Sequence, residues 1–316
     1  MQRMQDRREG FTGMAHKQVQ GIYAALLTPR LADSRLDLSG LSRLVEFLAK
    51  NDVRSYALNG ATGEFCLTTP KELRALFGAI REVLGNEANV LCGVGAAGTA
   101  EAIELARIAQ EEGSRALLAP APNFFSYQQD DLEAFFQTLA ATVQLPVLLY
   151  NLPQFTTGLE VETACRLIRD VPHIIGIKDS SGSLDILRAL TQQAIPACRI
   201  IGNDSALVAA LKEEICDGVV SGVACVVPEL IQSVYNTTDG QGAAQFRLAV
   251  GLLDEFIAQI DIFPTPWGLK WIAEARGILH ASFAQPVSSR RTTQSADLME
   301  WFQGWQASLP VNLAAK

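Results

Sequence analysis

A lysine at the end of a strand-like segment is the residue best suited to covalent chemistry in this sequence. The run 174–181 begins with β-branched residues and contains Gly176, which is typical of a short buried strand, and Lys178 lies where that strand ends. Lysine is rarely buried unless a partner or a reaction uses it. Burial favours the neutral, nucleophilic amine, which is the form that condenses with a ketone to give a Schiff base. The alternative is a strand-end lysine that reaches solvent or pairs with Asp179.

Two other segments carry groups that could assist such an amine. Tyr150 ends the apolar run 146–151, where a tyrosine can pass protons to a substrate or leaving group, or can simply pack its ring and form one hydrogen bond. The turn 59–64 is rich in small residues, so the N–H groups of Thr62 and Gly63 and the Thr62 hydroxyl could hold a carboxylate. An ordinary glycine-rich turn is the alternative there.

These residues belong to a regular alternation of strand-like and helix-like segments. The eight strands are predicted at 21–28, 55–60, 89–95, 116–120, 146–151, 174–178, 199–204 and 218–222. The second helix has an N-cap at Thr69, then Pro70, then Glu72 to complete a capping box. Eight such units predict an α/β fold of the (β/α)8 TIM barrel type, whose functional residues lie at the C-terminal ends of the strands. An open doubly wound sheet fits less well, because eight equal units leave no switch point.

The chain is predicted to be one folded domain with an extension. Residues 1–18 are polar, with mixed charge and no apolar core of a secretory signal, and we expect a flexible N-terminal extension. The barrel is expected over residues 19–226. Residues 227–316, which are helical to about residue 305, are expected to form additional C-terminal helices packed on the barrel in the same domain.

Composition argues against several classes of partner. The formal net charge of −8 leaves no basic face for phosphates, so no nucleic acid is expected. No apolar run is long enough to span a bilayer, so no membrane partner is expected either. The six cysteines lack a C-x-x-C pair and mostly fall in apolar contexts, which predicts reduced core thiols in a cytoplasmic protein.

Two kinds of cofactor are not expected. The histidines His16, His173 and His280 have no ligand spacing, so no metal site is predicted. The run 93–98 matches the pattern G-x-G-x-x-G, but the next strand ends without the acidic residue that a dinucleotide site needs. Carbon–carbon chemistry beside a ketone would then require an amine as electron sink, which favours Lys178.

Five motifs in order give the chain a resemblance to a known family. They are Gly60-Ala-Thr-Gly-Glu64, Gly93-Val-Gly-Ala-Ala-Gly-Thr-Ala-Glu-Ala102, Tyr150-Asn-Leu-Pro153, Gly176-Ile-Lys-Asp-Ser180 and Gly218-Val-Val-Ser-Gly222. Across about residues 21–270 they resemble the dihydrodipicolinate synthase / N-acetylneuraminate lyase family. The resemblance implies an enzyme that acts on pyruvate or another 2-keto acid through a lysine Schiff base, without a cofactor, as a homotetramer or homodimer.

The resemblance also implies a role for individual residues. Lys178 matches the Schiff-base lysine and Tyr150 the acid/base. The set that matches positions around the bound keto acid is Ala61, Thr62 and Gly63 in the carboxylate-binding turn, with Gly202 and Val220 as backbone positions.

The sequence departs from the family where the synthases are distinctive. Ala61 stands where many members carry a serine or threonine that hydrogen-bonds the tyrosine, and Phe124 and Phe125 stand where the synthases place a second tyrosine. The loop 154–158 lacks the arginine that holds the second substrate of the synthases, and residues 116–165 contain no arginine or lysine.

Several functions stay open. A lyase or aldolase that converts a 2-keto-3-deoxy sugar acid to pyruvate and an aldehyde is predicted first, because amides and hydroxyls suit sugar hydroxyls. The polar side chains concerned are Asn123, Ser126, Gln154, Thr156 and Thr157, some of which could instead cap turns. The enzyme alternatives are a keto-deoxy sugar acid dehydratase and 4-hydroxy-tetrahydrodipicolinate synthase. A catalytically idle keto-acid-binding homologue is the non-enzyme alternative, which has no need of both Lys178 and Tyr150.

Overall fold

Eight strands form a closed barrel in the order β1 to β8, as found in the computed structural model, which describes residues 19–236 and 243–309. The strands are β1 (Gly21–Ala25), β2 (Ser55–Leu58), β3 (Asn89–Gly93), β4 (Ala116–Pro120), β5 (Val147–Asn151), β6 (Ile174–Asp179), β7 (Cys198–Ile201) and β8 (Gly218–Ser221). This confirms the predicted (β/α)8 barrel and excludes the open sheet. The extension predicted for residues 1–18 lies outside the described residues.

Helices follow the strands and continue beyond the last of them. They are α1 (Leu38–Lys50), α2 (Pro70–Leu84), α3 (Thr99–Glu111), α4 (Gln129–Thr142), α5 (Val161–Asp170), α6 (Asp185–Gln192), α7 (Asp204–Lys212), α8 (Val223–Val226), α9 (Pro228–Asn236), α10 (Ala243–Ile260), α11 (Trp267–Ala275) and α12 (Ser289–Trp305). The last α-helix of residues 243–309 ends at Trp305, so the described part of the chain has additional C-terminal helices as the sequence predicted.

The chain divides into two compact units. The first contains Val90–Val220 together with the N-terminal residues up to Gly21, and the second contains Ile22–Asn89 and Ser221–Lys316. The boundary expected from the sequence, between residues 226 and 227, stays a prediction.

In the first unit, β5 and β6 lie side by side as parallel strands in which every residue is buried. Both are near-continuous apolar runs, as expected for parallel strands covered on both faces. Their register pairs Tyr150 with Lys178 and Asn151 with Asp179. Because paired residues of neighbouring strands point to the same face, this register brings the side chains of Tyr150 and Lys178 together.

In the second unit, α2 begins with the capping box that the sequence predicted. The Thr69 hydroxyl accepts a hydrogen bond from the Glu72 N–H at 3.2 Å, and the Glu72 carboxylate accepts one from the Thr69 N–H at 2.9 Å. Pro70 is the first residue of the helix. These contacts satisfy backbone N–H groups that the first turn of a helix leaves unpaired. They therefore fix the residue at which α2 begins.

The cysteines follow the prediction with two exceptions. Four are buried, but Cys66 is exposed and Cys216 is half-buried, so these two are not core thiols. Burial raises the pKa of Cys198 to about 12 and that of Cys225 to about 12, so both thiols are protonated and poor nucleophiles at neutral pH. Within the described part of the chain, no helix combines the length and apolar character that crossing a membrane requires.

Candidate active site

Lys178 lies at the C-terminal end of β6 with only 4% of its surface exposed. Its Nζ is 3.8 Å from the centre of the Tyr150 ring. Among residues 19–236 and 243–309 it has no hydrogen-bond or ion-pair partner. Asp179 in particular directs its carboxylate elsewhere, so the alternative of a strand-end lysine paired with Asp179 does not describe this structure. The structure therefore places Tyr150 and Lys178, the two residues selected from the sequence, side by side. The Lys178 amine has no carboxylate partner among the described residues.

Gly202 follows β7 and lies directly against the stem of Lys178. A Cβ atom added there would be 2.5 Å from Cε of Lys178 and 2.1 Å from Oγ of Ser180, both far inside van der Waals contact. The Gly202 N–H also donates to the Asp179 carbonyl at 2.7 Å. A larger residue at position 202 would therefore displace the side chains of Lys178 and Ser180, so glycine leaves room for the lysine. Val220, the other predicted backbone position, is buried in β8, and its role stays a prediction.

Ser180 is a polar group near the lysine that the sequence analysis did not select. Its Oγ is buried and has no hydrogen-bond partner among the described residues. The signal that could have found it is its spacing, since residues two apart in an extended segment point to the same side.

Asn151 and Asp179 form a buried brace between the ends of β5 and β6. The Asn151 amide nitrogen donates to Oδ1 of Asp179 at 3.1 Å, and the same oxygen accepts from the Ser181 N–H at 2.9 Å. The Asn151 carboxamide oxygen accepts from the Leu159 N–H at 3.0 Å. Burial raises the pKa of the Asp179 carboxyl, against the opposing effect of these hydrogen bonds. The brace holds the two strand ends that carry Tyr150 and Lys178.

The turn after β2 contains the predicted carboxylate-binding residues Ala61, Thr62 and Gly63. Its flanking residues Asn59 and Glu64 both adopt the left-handed conformation, with φ of 56° and 53°. The turn is closed by a hydrogen bond from the Glu64 N–H to the Ala61 carbonyl at 3.0 Å. Thr62 is half-buried, and nothing in the structure tests its role, which stays a prediction.

Gly63 is packed so closely that a side chain there would require its neighbours to shift by a few tenths of an ångström. An added Cβ would lie 3.2 Å from the Leu26 carbonyl oxygen, 3.2 Å from Oγ1 of Thr28 and 3.3 Å from Cα of Asn59. The Thr28 hydroxyl is buried and has no hydrogen-bond partner within the described residues. The turn is therefore packed against residues 26–28, which follow β1.

The loops after β4 and β5 use part of the polar set that the sequence assigned to sugar hydroxyls. The Thr157 hydroxyl accepts from the Tyr127 N–H at 3.1 Å, and the Gln154 amide nitrogen donates to the Ser180 carbonyl at 3.0 Å. The Thr156 hydroxyl donates to the Leu152 carbonyl at 3.4 Å, whereas Oδ1 of Asn123 is buried and has no hydrogen-bond partner among the described residues. Several of these polar side chains thus hold the loops together, which weakens their assignment to a ligand.

Phenylalanines in the same loops are exposed: Phe124 by 86%, Phe125 by 61% and Phe155 by 54%.

Within the described ranges, no three or more His, Cys, Asp and Glu side chains are grouped so that they could hold a metal ion.

Comparison with known families decides the classification. The Dihydrodipicolinate synthetase family matches residues 18–303. The chain belongs to this family. It is an enzyme family of the aldolase type, as the five sequence motifs implied. The curated 4-hydroxy-tetrahydrodipicolinate synthase 1 of Streptomyces coelicolor is 34% identical over 285 residues, which cover 86% of this chain and 88% of that protein.

Solved structures of two named enzymes have the same fold. The chloride-inhibited dihydrodipicolinate synthase of Acinetobacter baumannii, solved in complex with pyruvate, is 25% identical with a TM-score of 0.81, and the match covers 89% of this chain and 98% of that one. The N-acetylneuraminate lyase of Mycoplasma synoviae is 18% identical with a TM-score of 0.77, over 90% of this chain and 98% of that one. The second likeness concerns the fold alone.

Proposed function

We propose that this protein is a Schiff-base enzyme of the aldolase type that acts on pyruvate or a longer 2-keto acid. The observation that carries the proposal is a buried lysine amine that lacks a carboxylate partner and lies 3.8 Å from a tyrosine ring centre. The Lys178 amine adds to the keto carbon, the carbonyl oxygen leaves as water, and an imine forms. Loss of a proton from C3 gives an enamine, which attacks an aldehyde. The reverse sequence cleaves the same carbon–carbon bond.

Tyr150 is proposed to transfer the protons that these steps require. The leaving hydroxyl must take up a proton, and a phenol beside the amine can supply it. The turn of Ala61, Thr62 and Gly63 is proposed to bind the carboxylate of the keto acid through backbone N–H groups, which fits a chain with a formal net charge of −8.

For the aldehyde partner, the first candidate is the condensation of pyruvate with aspartate semialdehyde. The curated relatives at 34% identity are named 4-hydroxy-tetrahydrodipicolinate synthase, and this supports the synthase over the sugar-acid reaction that the sequence analysis put first. The polar side chains that hold the loops after β4 and β5 together support the same ranking of the two reactions, because they already form hydrogen bonds within the protein.

The second candidate is retro-aldol cleavage or dehydration of a 2-keto-3-deoxy sugar acid. It is favoured by the absence of any arginine or lysine among residues 116–165, where a synthase would hold the carboxylate of its second substrate. Arg166, the first cation after that stretch, forms an ion pair with Glu133. Charge-assisted hydrogen bonds contribute about 1.5–3 kcal/mol each, so the missing cation would reduce selectivity for the semialdehyde about ten- to a hundredfold.

The covalent step is tested by trapping. Incubation with pyruvate and borohydride is expected to add a stable pyruvyl mass to the peptide that contains Lys178, and the matched variant Lys178→Met should show none. An adduct on Lys270, or no adduct at saturating pyruvate, would reject the Schiff-base proposal.

The choice between the two partners is tested by assaying the purified protein on both substrates side by side. The synthase is supported if kcat/KM for the semialdehyde exceeds that of the best sugar acid by about tenfold, a difference of 1.4 kcal/mol in transition-state stabilisation. A tenfold preference for a sugar acid would instead select the lyase. The homotetramer or homodimer and the cytoplasmic location stay predictions.

A further inference from the structure

A second buried lysine, Lys270, contacts the turn after β2. It lies in α11 with a side chain 4% exposed, and its Nζ is 2.5 Å from the Glu64 carboxylate, which is itself only 12% exposed. The same Nζ donates to the Ser282 carbonyl at 2.8 Å and lies 5.4 Å from the centre of the Phe283 ring. Charge, hydrogen bonding and ring contact thus all fix this ammonium in place.

Glu64 is the residue through which this contact reaches the turn. It directly follows Gly63 and holds the left-handed conformation, which a residue with a side chain adopts at a cost of about 1–2 kcal/mol. Its N–H closes the turn onto the Ala61 carbonyl at 3.0 Å. The carboxylate that Lys270 binds therefore belongs to the residue whose backbone shapes the predicted anion-binding loop.

The segment after α11 connects the same cluster to the chain that follows β1. The Ser282 hydroxyl donates to the Leu31 carbonyl at 3.3 Å, while the Ser282 carbonyl accepts from Lys270. Arg30 in turn donates to the Leu67 carbonyl at 2.8 Å. The loops that follow β1 and β2 are therefore both connected by hydrogen bonds to residues 270–282, and all of these residues belong to the second compact unit.

We propose that Glu64 and Lys270 are positioning residues for the keto-acid carboxylate, so that helix α11 sets how well the turn 61–63 binds substrate. This rests on the proposed function, which assigns the carboxylate to that turn. Neither side chain is proposed to touch the substrate. They act by holding the turn in the conformation that presents its N–H groups, so their loss should weaken substrate binding more than the chemistry that follows.

The test compares Glu64→Gln with a matched variant at another ion pair. The control is Glu229→Gln, which removes the negative charge from the ion pair between Arg276 and Glu229. The two side chains are 2.9 Å apart, and each is 18% exposed. No hydrogen bond that the structure describes joins this control pair to residues 59–67. The measurement is the pyruvate concentration that gives half-maximal borohydride-trapped adduct on Lys178, together with KM and kcat for the preferred reaction.

Glu64→Gln is expected to raise the half-saturating pyruvate concentration about ten- to a hundredfold, the effect of displacing a binding group by about 1 Å, while the adduct at saturation stays complete. Glu229→Gln is expected to leave the half-saturating concentration within about twofold of wild type. Equal half-saturation in wild type and Glu64→Gln, or an equal rise in Glu229→Gln, would overturn the inference.

A double variant keeps the test decisive if Glu64→Gln does not fold. Glu64→Gln with Lys270→Met removes both charges, so no ion remains unpaired, and such neutral replacements of buried ion pairs commonly keep the fold. Its half-saturating pyruvate concentration should stay raised about tenfold or more, because the tie to the turn is still missing. A wild-type value in this variant would reject the positioning role. Failure of the proposed function looks different, since wild type itself would then form no adduct on Lys178.

Discussion

The two buried lysines of this protein, Lys178 in β6 and Lys270 in α11, are equally withdrawn from water but differ in their surroundings. Lys178 is 4% exposed and faces a tyrosine ring, with no carboxylate partner in the residues that the structure describes. Lys270 is buried as well and has a carboxylate, a backbone carbonyl and a phenylalanine ring around its Nζ. Burial alone therefore does not identify a nucleophilic lysine.

The difference indicates which lysine can react. The Nζ of Lys270 is held by the Glu64 carboxylate and the Ser282 carbonyl, whereas the Nζ of Lys178 has no such partner among the described residues and is therefore the amine that can add to a carbonyl. The same contrast predicts opposite effects on stability, because removing one partner of a buried ion pair leaves the other partner's charge unpaired, whereas removing an amine that has no partner leaves no charge behind.

The largest expected effect is the loss of activity in Lys178→Met. Removal of the covalent nucleophile should lower kcat by about 10⁴-fold or more, as when other enzymes lose theirs. The free energy of unfolding, measured in urea, should stay the same or increase, because an apolar side chain replaces a buried amine. Lys212→Met, on the exposed last turn of α7, is the control and should keep full activity. If Lys178→Met kept a turnover within tenfold of wild type, Lys178 would not be the nucleophile and the contrast with Lys270 would not hold.

Tyr150→Phe tests whether the ring beside Lys178 acts only by packing. The fold should survive, because the ring is kept, while the loss of general acid–base catalysis should reduce kcat about 10²–10⁴-fold. Steady-state kinetics on the preferred substrate and a urea titration measure the two effects. Turnover close to wild type would show that the hydroxyl is dispensable.

Lys270→Met should be destabilising where Lys178→Met is not. It leaves the Glu64 carboxylate, 12% exposed, without its cation, and breaking a buried pair from one side typically costs about 3–5 kcal/mol of unfolding free energy. The adduct with pyruvate should still form on Lys178. Equal unfolding midpoints for the two lysine variants would contradict the distinction drawn between these sites.

Gly202→Ala tests whether the position of the Lys178 amine depends on the space beside its side chain. The added methyl would meet Lys178 and Ser180, so the amine should be displaced and kcat/KM should fall about ten- to a hundredfold. Gly78→Ala is the matched control, because a Cβ there meets nothing within 4 Å in the middle of α2, and it should stabilise the helix by about 0.5–1 kcal/mol with normal activity. Normal kinetics in Gly202→Ala would show that the lysine stem can move aside.

The smallest expected effect is a change in how stability depends on pH in Asp179→Asn. Burial raises the pKa of the Asp179 carboxyl in the folded state, so the folded protein holds this proton at pH values where the unfolded chain has released it. The contribution of this group to stability is therefore fully present below the unfolded pKa and is lost as pH rises from about 4 through the folded pKa. Urea titrations should show that the stability of Asp179→Asn relative to wild type increases with pH over this window. A constant difference would contradict the raised pKa.

Local patterns determined most of what the sequence predicted correctly. The capping box at Thr69, the alternation that closes into a barrel, and the placement of Lys178 and Tyr150 at strand ends all depend on residues within a few positions of one another. Periodicity and capping act over such distances, which is why one sequence sufficed for them. The family motifs added the match between Lys178 and the Schiff-base lysine. The contacts of Lys178 agree with this match, and borohydride trapping tests it.

Tertiary structure alone decided which buried lysine has a partner. Glu64 and Lys270 are separated by 206 positions, and the apolar neighbours of Lys270 in α11 give no sign of a carboxylate. The close approach of Gly202 to Lys178, and the use of Thr157 and Gln154 to hold loops, likewise depend on segments that meet only after folding. The sequence determines which charged and polar groups exist, but the energy of each depends on what lies within a few ångströms, and that distance is set by packing between remote segments.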